Sequence, residues 1–120
     1  MTKVMIVDDA AFLRTVLREI VEGMGFEVAI EAGDGYAAVK SYTKYRPDVT
    51  IMDITMPEMD GITAIKRIRE LDSSAKIIVC SSMGSFNLIM ESMQAGAKDF
   101  IVKPFDRSRI RESILNVSKK

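Results

Sequence analysis

The sequence predicts an α/β protein, with a doubly wound parallel sheet of five strands built from five successive βα units, (βα)5. Three observations predict it. Five short apolar runs rich in β-branched residues are spread along the chain, an amphipathic helical period follows each run, and the runs begin 21 to 28 residues apart. This spacing accommodates one strand, one helix and two short loops, and right-handed crossovers then make all five strands parallel.

The five predicted strands carry apolar side chains at successive positions rather than at alternate ones. Such continuous runs are typical of strands that helices cover on both faces, as in a parallel sheet. In chain order the runs are residues 4–7, 28–30, 49–52, 77–80 and 100–102.

The five predicted helices repeat apolar residues every three or four positions, with charged residues such as Arg14 and Arg18 on the opposite face. Asp60 is expected to cap the third helix and Gly96 to end the fourth. In order, the apolar stripes are Phe12, Val16 and Ile20; Tyr36, Val39 and Tyr42; Ile62, Ile65, Ile68 and Leu71; Leu88, Ile89 and Met93; and Ile110, Ile114 and Val117.

The composition excludes several classes of function. The 120 residues include 17 basic and 17 acidic side chains, and this zero net charge argues against a nucleic-acid binder. The absence of histidine excludes histidine bases, Ser-His-Asp catalysis and histidine-ligated zinc. The single cysteine, Cys80, is expected to be an inert buried thiol. We expect one domain over residues 1–120, in the cytoplasm and without a membrane segment.

Polar side chains follow four of the five predicted strands. In a doubly wound sheet, ligands bind at the carboxyl ends of the strands. We therefore expect three carboxylates, two hydroxyls and one ammonium group to converge at one edge of the sheet. These residues are Asp8 and Asp9 after the first strand, Asp53 after the third, Ser81 and Ser82 after the fourth, and Lys103 after the fifth.

This set of side chains suits phosphoryl chemistry. Three close carboxylates repel one another, and a bound cation or a shared proton relieves the repulsion. Oxygen ligands without histidine or cysteine favour Mg²⁺. With Lys103 as a second positive charge, the site can neutralise the oxygens of a phosphoryl group in transfer. Asp53, alone and central on its strand, is the best candidate for the nucleophile, and Asp8 and Asp9 for the metal-holding pair.

Each residue also has an ordinary structural interpretation. Asp8 and Asp9 could cap the first helix, Asp53 could cap its strand, and Lys103 could form a surface ion pair of little consequence. The two serines could be loop residues. We favour a functional site because all four groups fall at strand ends that the topology brings together.

At these residues the sequence resembles the receiver domain of two-component response regulators. The matching blocks are VMIVDD (residues 4–9), MDITMPEMDG (52–61), IIVCSS (77–82) and AGAKDFIVKPF (95–105), and their order and spacing are specific. The resemblance implies a flavodoxin-like fold with the strand order 2-1-3-4-5. Within the family the chain is most similar to the stand-alone chemotaxis regulators, in the run VDDAAFLR and in carrying no output domain.

The resemblance also implies a role for each site residue. Asp53 would be the phosphoacceptor. Asp8, Asp9 and Asp53 would hold Mg²⁺ together with the backbone carbonyl of Thr55. Lys103 would bind the phosphoryl group, and its peptide bond to the following proline would be cis.

A switch is implied as well. Ser81 would be the switch hydroxyl and Phe100 the switch aromatic, at a position where the enteric chemotaxis pattern has tyrosine. The fourth helix carries more apolar residues than one buried stripe needs, so we expect some of them to face outward near Phe100 and offer a partner an apolar patch. These residues are Leu88, Ile89, Met90 and Met93.

The implied protein is a phosphoacceptor switch that catalyses only its own phosphorylation and dephosphorylation. A chemotaxis-type histidine kinase would donate the phosphoryl group, a flagellar motor switch or adaptor protein would bind the phosphorylated form, and a phosphatase is a further expected partner. We expect a monomer that binds neither nucleic acid nor membrane.

Three alternatives remain open from the sequence. A phosphorelay intermediate would pass the phosphoryl group to a second histidine protein, docked on the first helix near Phe12 and Arg14. A flavodoxin-like nucleotide-binding protein would need a first loop rich in glycine and hydroxyl groups, where this chain has an acidic one. A phosphatase with an aspartyl nucleophile would need a second aspartate where Thr55 stands.

Overall fold

The computed structural model describes residues 2–55 and 59–119 and contains all five predicted βα units. Each observed strand begins and ends within two residues of its predicted run. Residues 56–58, part of the second matching block, lie outside the described residues. The elements are β1 (Lys3–Val7), α1 (Ala11–Gly23), β2 (Glu27–Ala32), α2 (Gly35–Tyr45), β3 (Val49–Met52), α3 (Gly61–Leu71), β4 (Ile77–Ser81), α4 (Phe86–Ala95), β5 (Asp99–Val102) and α5 (Arg107–Ser118).

The five strands form one parallel sheet in the order β2-β1-β3-β4-β5, which confirms the predicted fold class and strand order. The chain starts at β1 inside the sheet, moves outward to β2, and returns past β1 to β3. The strand order therefore reverses between β1 and β3, and a crevice opens at the carboxyl ends of these two strands. This crevice is where the fold places a ligand site.

Helices cover both faces of the sheet. Successive strand residues point to opposite faces, and the residues on each face are apolar. On one face, α1 and α5 pack their buried stripes against alternate residues of the central strands, among them Ile6, Ile51 and Ile78. On the other face, α2 and α3, with part of α4, pack against the intervening residues, such as Met5, Met52 and Val79. The two layers explain why the strand runs are apolar at successive positions.

In the predicted stripes of the first three helices, three residues lie outside the core. Phe12 is 76% exposed, Tyr36 63% and Leu71 44%, so the prediction that they face the sheet is wrong. All three lie in the first or last turn of a helix. In α1 and α2 the burial comes from later turns, as at Leu17 and Tyr42.

Helix caps explain several of the boundaries. Asp60 accepts a hydrogen bond from the N–H of Thr63 at 2.9 Å, which confirms it as the cap of α3. Gly96 ends α4 with φ at +124°, a conformation that favours glycine. Ala10 directly precedes α1 at the N-cap position, and no side chain caps that helix. The interpretation of Asp8 and Asp9 as helix caps is therefore wrong.

Cys80 is the buried thiol that the sequence predicts. Its side chain lies in the α1/α5 layer of the core, and burial raises its pKa to about 12, so the reactive thiolate is disfavoured. Among the described residues, no helix combines the length and the hydrophobicity needed to cross a membrane.

Candidate functional site

Three carboxylates meet at the crevice between β1 and β3. Asp8 directly follows β1 and Asp53 directly follows β3, and these strands are neighbours in the sheet. Asp8 is 1% exposed and Asp53 5%, whereas Asp9 is exposed. One oxygen of each carboxylate lies within 4.8 Å of the others. The predicted convergence of the acidic residues is confirmed.

Lys103, which directly follows the edge strand β5, completes the cluster. Its ammonium group lies 2.7 Å from Oδ2 of Asp8 and 3.2 Å from Oδ2 of Asp53. Burial opposes the charged form of this lysine, but the hydrogen bond to Asp8 and the negative charges of both aspartates outweigh it and raise the pKa. The peptide bond to Pro104 is cis, as the resemblance implies. Lys103 is therefore not a surface residue with an incidental ion pair.

Thr55 holds the other oxygen of Asp53. Both its N–H and its hydroxyl donate to Oδ1, at 3.0 and 2.9 Å. The sequence reasoning assigned only the carbonyl of Thr55 and missed the hydroxyl, although aspartate followed two residues later by threonine is a recognisable turn signal. The loop is held against the sheet at Gly61, where a Cβ atom would collide with the backbone of Ile54. The role of the Thr55 carbonyl stays a prediction.

The two serines after β4 lie in different environments. Ser81 is fully buried, and its hydroxyl oxygen accepts a hydrogen bond from the N–H of Met83 at 3.2 Å. Its hydroxyl proton is donated to no group among the described residues, so it remains available to a ligand oxygen. Ser82 is exposed and lines a cavity of about 430 Å³ with Phe12 and Lys103, on the side of α1. Of the two hydroxyls, only that of Ser81 belongs to the interior.

Phe100 lies in β5, half-buried against the core layer that contains α4. Its backbone is held from both sides. Its N–H donates to the carboxylate of Asp99 at 2.8 Å, and its carbonyl accepts from Arg109 at 3.4 Å. Phe86 on α4 is 75% exposed, and Met90 and Met93 are exposed as well. Met90 and Met93 are therefore the two of the four expected residues that face outward, whereas Leu88 and Ile89 are half-buried. The use of the two methionines by a partner stays a prediction.

Arg14 is a site-associated residue whose contacts the sequence reasoning missed. The helical period predicts that it lies on the solvent face of α1, but its guanidinium donates to the backbone carbonyl of Asp8 at 2.6 Å and pairs with Glu31 at 3.1 Å. Glu31 belongs to β2, and no sequence motif links it to the acidic cluster. Only the packing of α1 beside β2 brings the two together.

The arrangement is equipped for a cation and for a doubly charged anion together. Its carboxylate oxygens, with no nitrogen or sulfur donor among them, are the ligands that Mg²⁺ prefers. Three carboxylates against one ammonium group leave a net negative charge, so the donor set fits a divalent cation. Lys103 and the hydroxyl of Thr55 are polar groups that already contact the carboxylate of Asp53. The role of Ser81 toward a phosphoryl group stays a prediction.

Comparison with known proteins agrees with this geometry. The family model of the response regulator receiver domain matches residues 4–115. The chain is 56% identical over 117 residues to "Chemotaxis protein CheY" of Thermotoga maritima, with 98% of both chains covered. It is 53% identical over 112 residues to "Chemotaxis protein CheY" of Bacillus subtilis, with 93% of both covered.

A solved structure shows the same fold. The crystal structure of the CheX–CheY–BeF3–Mg²⁺ complex from Borrelia burgdorferi contains a chain that is 39% identical to this one and superposes with a TM-score of 0.94. The match covers 97% of this chain and 88% of that one.

Proposed function

The chain belongs to the response regulator receiver domain family, as a member of the chemotaxis type, and we propose that Asp53 is the residue that receives its phosphoryl group. Family membership makes it a component of two-component signalling. The acceptor and the cation ligands are inferences from the site. They are supported by the burial of Asp53, by its contact with Lys103 and by the two other carboxylates within 4.8 Å.

In the proposed reaction, a carboxylate oxygen of Asp53 attacks the phosphorus of a phosphohistidine on a separate kinase. The P–N bond breaks as the P–O bond forms, and the electron pair returns to the imidazole nitrogen. Lys103 neutralises charge on the phosphoryl oxygens, and the two hydrogen bonds from Thr55 hold the attacking carboxylate in orientation. Asp8, Asp9, Asp53 and the Thr55 carbonyl would hold Mg²⁺, which would supply further positive charge for phosphoryl transfer.

The observation that carries this proposal is the contact of Lys103 with both Asp8 and Asp53. The lysine bridges the two buried carboxylates at 2.7 and 3.2 Å, so an oxygen added to Asp53 arrives beside an ammonium group that is already in place. A structural ion pair would need only one of these carboxylates. The second one, together with the exposed Asp9, adds negative charge that a cation must offset.

Incubation with acetyl phosphate and Mg²⁺, followed by intact-mass spectrometry, tests the acceptor. We expect the parent protein to gain one phosphoryl group that alkali removes, and Asp53→Asn to gain none. Asp48→Asn is the matched control, because Asp48 precedes the same strand at its opposite end and is exposed. Stable labelling of a serine, or labelling of Asp53→Asn, would contradict the proposal.

We infer that the phosphorylated form is read at the surface formed by α4 and β5. Ser81 and Phe100 lie on neighbouring strands, and the exposed residues Phe86, Met90 and Met93 offer a partner an apolar patch there. A histidine kinase as donor, and a motor switch or adaptor protein as target, are the partners that the chemotaxis relatives suggest. The CheX complex of the Borrelia relative supports a CheX-like phosphatase as a further partner. The single, buried and unpaired Cys80 is compatible with a cytoplasmic protein.

The phosphorelay intermediate remains as a second candidate, favoured by the exposure of Phe12 beside the cavity next to Lys103. A relay intermediate must return its phosphoryl group to a histidine. Incubating the purified phosphoprotein with histidine phosphotransfer domains from the source cell, and following the radiolabel, separates the two candidates. We expect the label to leave as inorganic phosphate; transfer to a histidine protein would favour the relay.

A further inference from the structure

The backbone between the two acidic residues of the site is held by a side chain from outside it. Nη1 of Arg14 donates to the carbonyl oxygen of Asp8 at 2.6 Å. This carbonyl belongs to the peptide unit that joins Asp8 to Asp9. The orientation of that peptide plane decides where the next residue, Asp9, projects its carboxylate.

Asp8 and Asp9 depend on this contact to different degrees. The carboxylate of Asp8 is fixed directly, by the ammonium group of Lys103 at 2.7 Å and by the N–H of Ala10 at 2.9 Å. The carboxylate of Asp9 is exposed, and it makes no hydrogen bond or ion pair with any residue that the structure describes. The position of Asp9 is therefore set by its backbone. Two side chains hold this backbone: Asp8 bonds to the N–H of Ala10 after it, and Arg14 bonds to the Asp8 carbonyl before it.

Arg14 is itself held in place by an ion-pair network between α1 and β2. Its Nε lies 3.1 Å from Oε1 of Glu31, and the other oxygen of Glu31 accepts from Nε of Arg18 at 2.6 Å. Arg18 also pairs with Glu22 at 3.2 Å. Each oxygen of Glu31 thus serves one arginine, Oε1 holding Arg14 and Oε2 holding Arg18.

The chemistry of arginine fits this task. A guanidinium group presents several N–H donors in a rigid plane, so that Arg14 reaches Glu31 through Nε and the Asp8 carbonyl through Nη1 at the same time. A lysine ammonium can occupy only one of these two places. The network of two arginines and two glutamates is neutral, so Arg14 orients the acidic loop without adding net positive charge beside a cation site.

We propose that Arg14 is a positioning residue for the cation site: it fixes the peptide between Asp8 and Asp9, directs the carboxylate of Asp9 toward the cluster, and thereby sets the affinity for Mg²⁺. This inference rests on the proposed function, in which the acidic cluster binds the cation. Residues that orient metal ligands from outside the ligand set commonly change metal affinity by about 10- to 100-fold when they are removed.

The test is a Mg²⁺ titration of the full chain, followed by the backbone amide resonances of residues 9, 10 and 55. We expect Arg14→Met to weaken Mg²⁺ binding about tenfold and Arg14→Lys to weaken it less. Arg18→Met is the matched control, because it removes a pairing with Glu31 without a contact to Asp8, and it should bind Mg²⁺ within about twofold of the parent. The ¹⁵N order parameter of Asp9 in EDTA should fall in Arg14→Met and not in Arg18→Met.

The melting temperature in EDTA separates positioning from a general loss of structure. Arg14→Met and Arg18→Met each lose ion pairs on the same surface, so their melting temperatures should fall by similar amounts while their Mg²⁺ affinities diverge. If Arg14→Met does not fold, Glu31→Gln carries the test, since it loosens Arg14 and should weaken Mg²⁺ binding too. The inference would be overturned if Arg14→Met bound Mg²⁺ as tightly as the parent does. Where Glu31→Gln replaces that variant, the same outcome in Glu31→Gln would overturn it. A parent protein that binds no Mg²⁺ would instead overturn the proposed function.

Discussion

Asp53 is stabilised as a carboxylate by two neighbours and destabilised by two others. Thr55 donates to one of its oxygens and Lys103 to the other. Asp8 and Asp9 carry the same charge within 4.8 Å. Without a cation, one ammonium group faces three carboxylates, so we expect repulsion between the carboxylates to reduce the stability of the fold.

We predict that Asp53→Asn increases the free energy of unfolding in EDTA by about 1 kcal/mol, because the amide keeps the shape and an acceptor while it removes a charge. Saturating Mg²⁺ should stabilise the parent strongly and the variant little, since ligand binding adds RT ln(1 + [L]/Kd) to stability. Urea unfolding in EDTA and in Mg²⁺ measures both effects. A loss of stability in EDTA, or a parent that ignores Mg²⁺, would contradict the crowded acidic site.

The hydroxyl of Thr50 is a second polar group that we expect to lower the stability of the folded protein. Its hydroxyl in β3 is fully buried and lacks a hydrogen-bond partner among the described residues. We predict that Thr50→Val stabilises the protein by about 1 kcal/mol, because valine fills the same volume without an unsatisfied polar atom. Thr43→Val is the control: its hydroxyl is exposed and bonds to the carbonyl of Val39, so stability should change by less than about 0.5 kcal/mol. A destabilised Thr50→Val would indicate that the hydroxyl has a partner.

At the scale of elements, a polar cluster joins the start of β5 to α5. Asp99 forms two hydrogen bonds with Arg109, both at 3.1 Å, and accepts a third from the buried hydroxyl of Ser113 at 2.6 Å. Burial opposes ionisation of Asp99, but the bonds from Arg109, Ser113 and the N–H of Phe100 outweigh it and lower the pKa. The cluster anchors the strand that carries Phe100.

The lowered pKa of Asp99 predicts how stability depends on pH. A group whose pKa is lower in the folded state stabilises the protein above its unfolded pKa, and this contribution disappears as the pH falls through the folded value. We expect Asp99→Asn to be less stable than the parent at neutral pH, and the difference to shrink below about pH 4. Chemical unfolding from pH 7 down to pH 3 measures it. A difference independent of pH would show that the charge of Asp99 contributes nothing.

At the scale of the whole molecule, the site and the apolar surface of α4 are joined through the ends of β4 and β5. Ser81 pairs with Val102, and Lys103 donates its N–H to the Ser81 carbonyl at 2.8 Å. A hydroxyl that moves to bind a phosphoryl oxygen leaves the N–H of Met83, three residues before α4, without its hydrogen bond. Small movements at the site can therefore shift the population of α4 conformations.

We predict that Ser81→Ala still acquires a phosphoryl group on Asp53. The conformational response of α4 to that group should be weaker than in the parent. Beryllofluoride with Mg²⁺ should shift the amide resonances of α4 and β5 in the parent, and these shifts should be reduced in Ser81→Ala. The neighbouring exposed serine gives the control, since Ser82→Ala should respond like the parent. Full α4 shifts in Ser81→Ala would show that the hydroxyl does not couple the site to the surface.

Much of the fold and of the candidate site could be read from local patterns in the sequence. The spacing of apolar residues distinguishes strands from helices within short segments. Asp60 marks a helix start through its side-chain cap, and Gly96 marks a helix end through its backbone conformation. Because parallel strands bring their carboxyl ends to one edge, the charged residues that directly follow the first, third and fifth runs are expected to converge there. Asp8, Asp53 and Lys103 followed from that rule alone.

Other features were decided only by the tertiary structure, because they depend on contacts between distant residues. Lys103 bridges Asp8, 95 positions earlier, and Arg14 meets Glu31 on another element. Phe12 is exposed although it belongs to the apolar period of α1, which shows that the period alone does not decide burial. Local patterns place the charged groups at the edge of the sheet, because each of these groups directly follows its strand. The tertiary structure decided which of them touch, since side-chain contact depends on how whole elements pack.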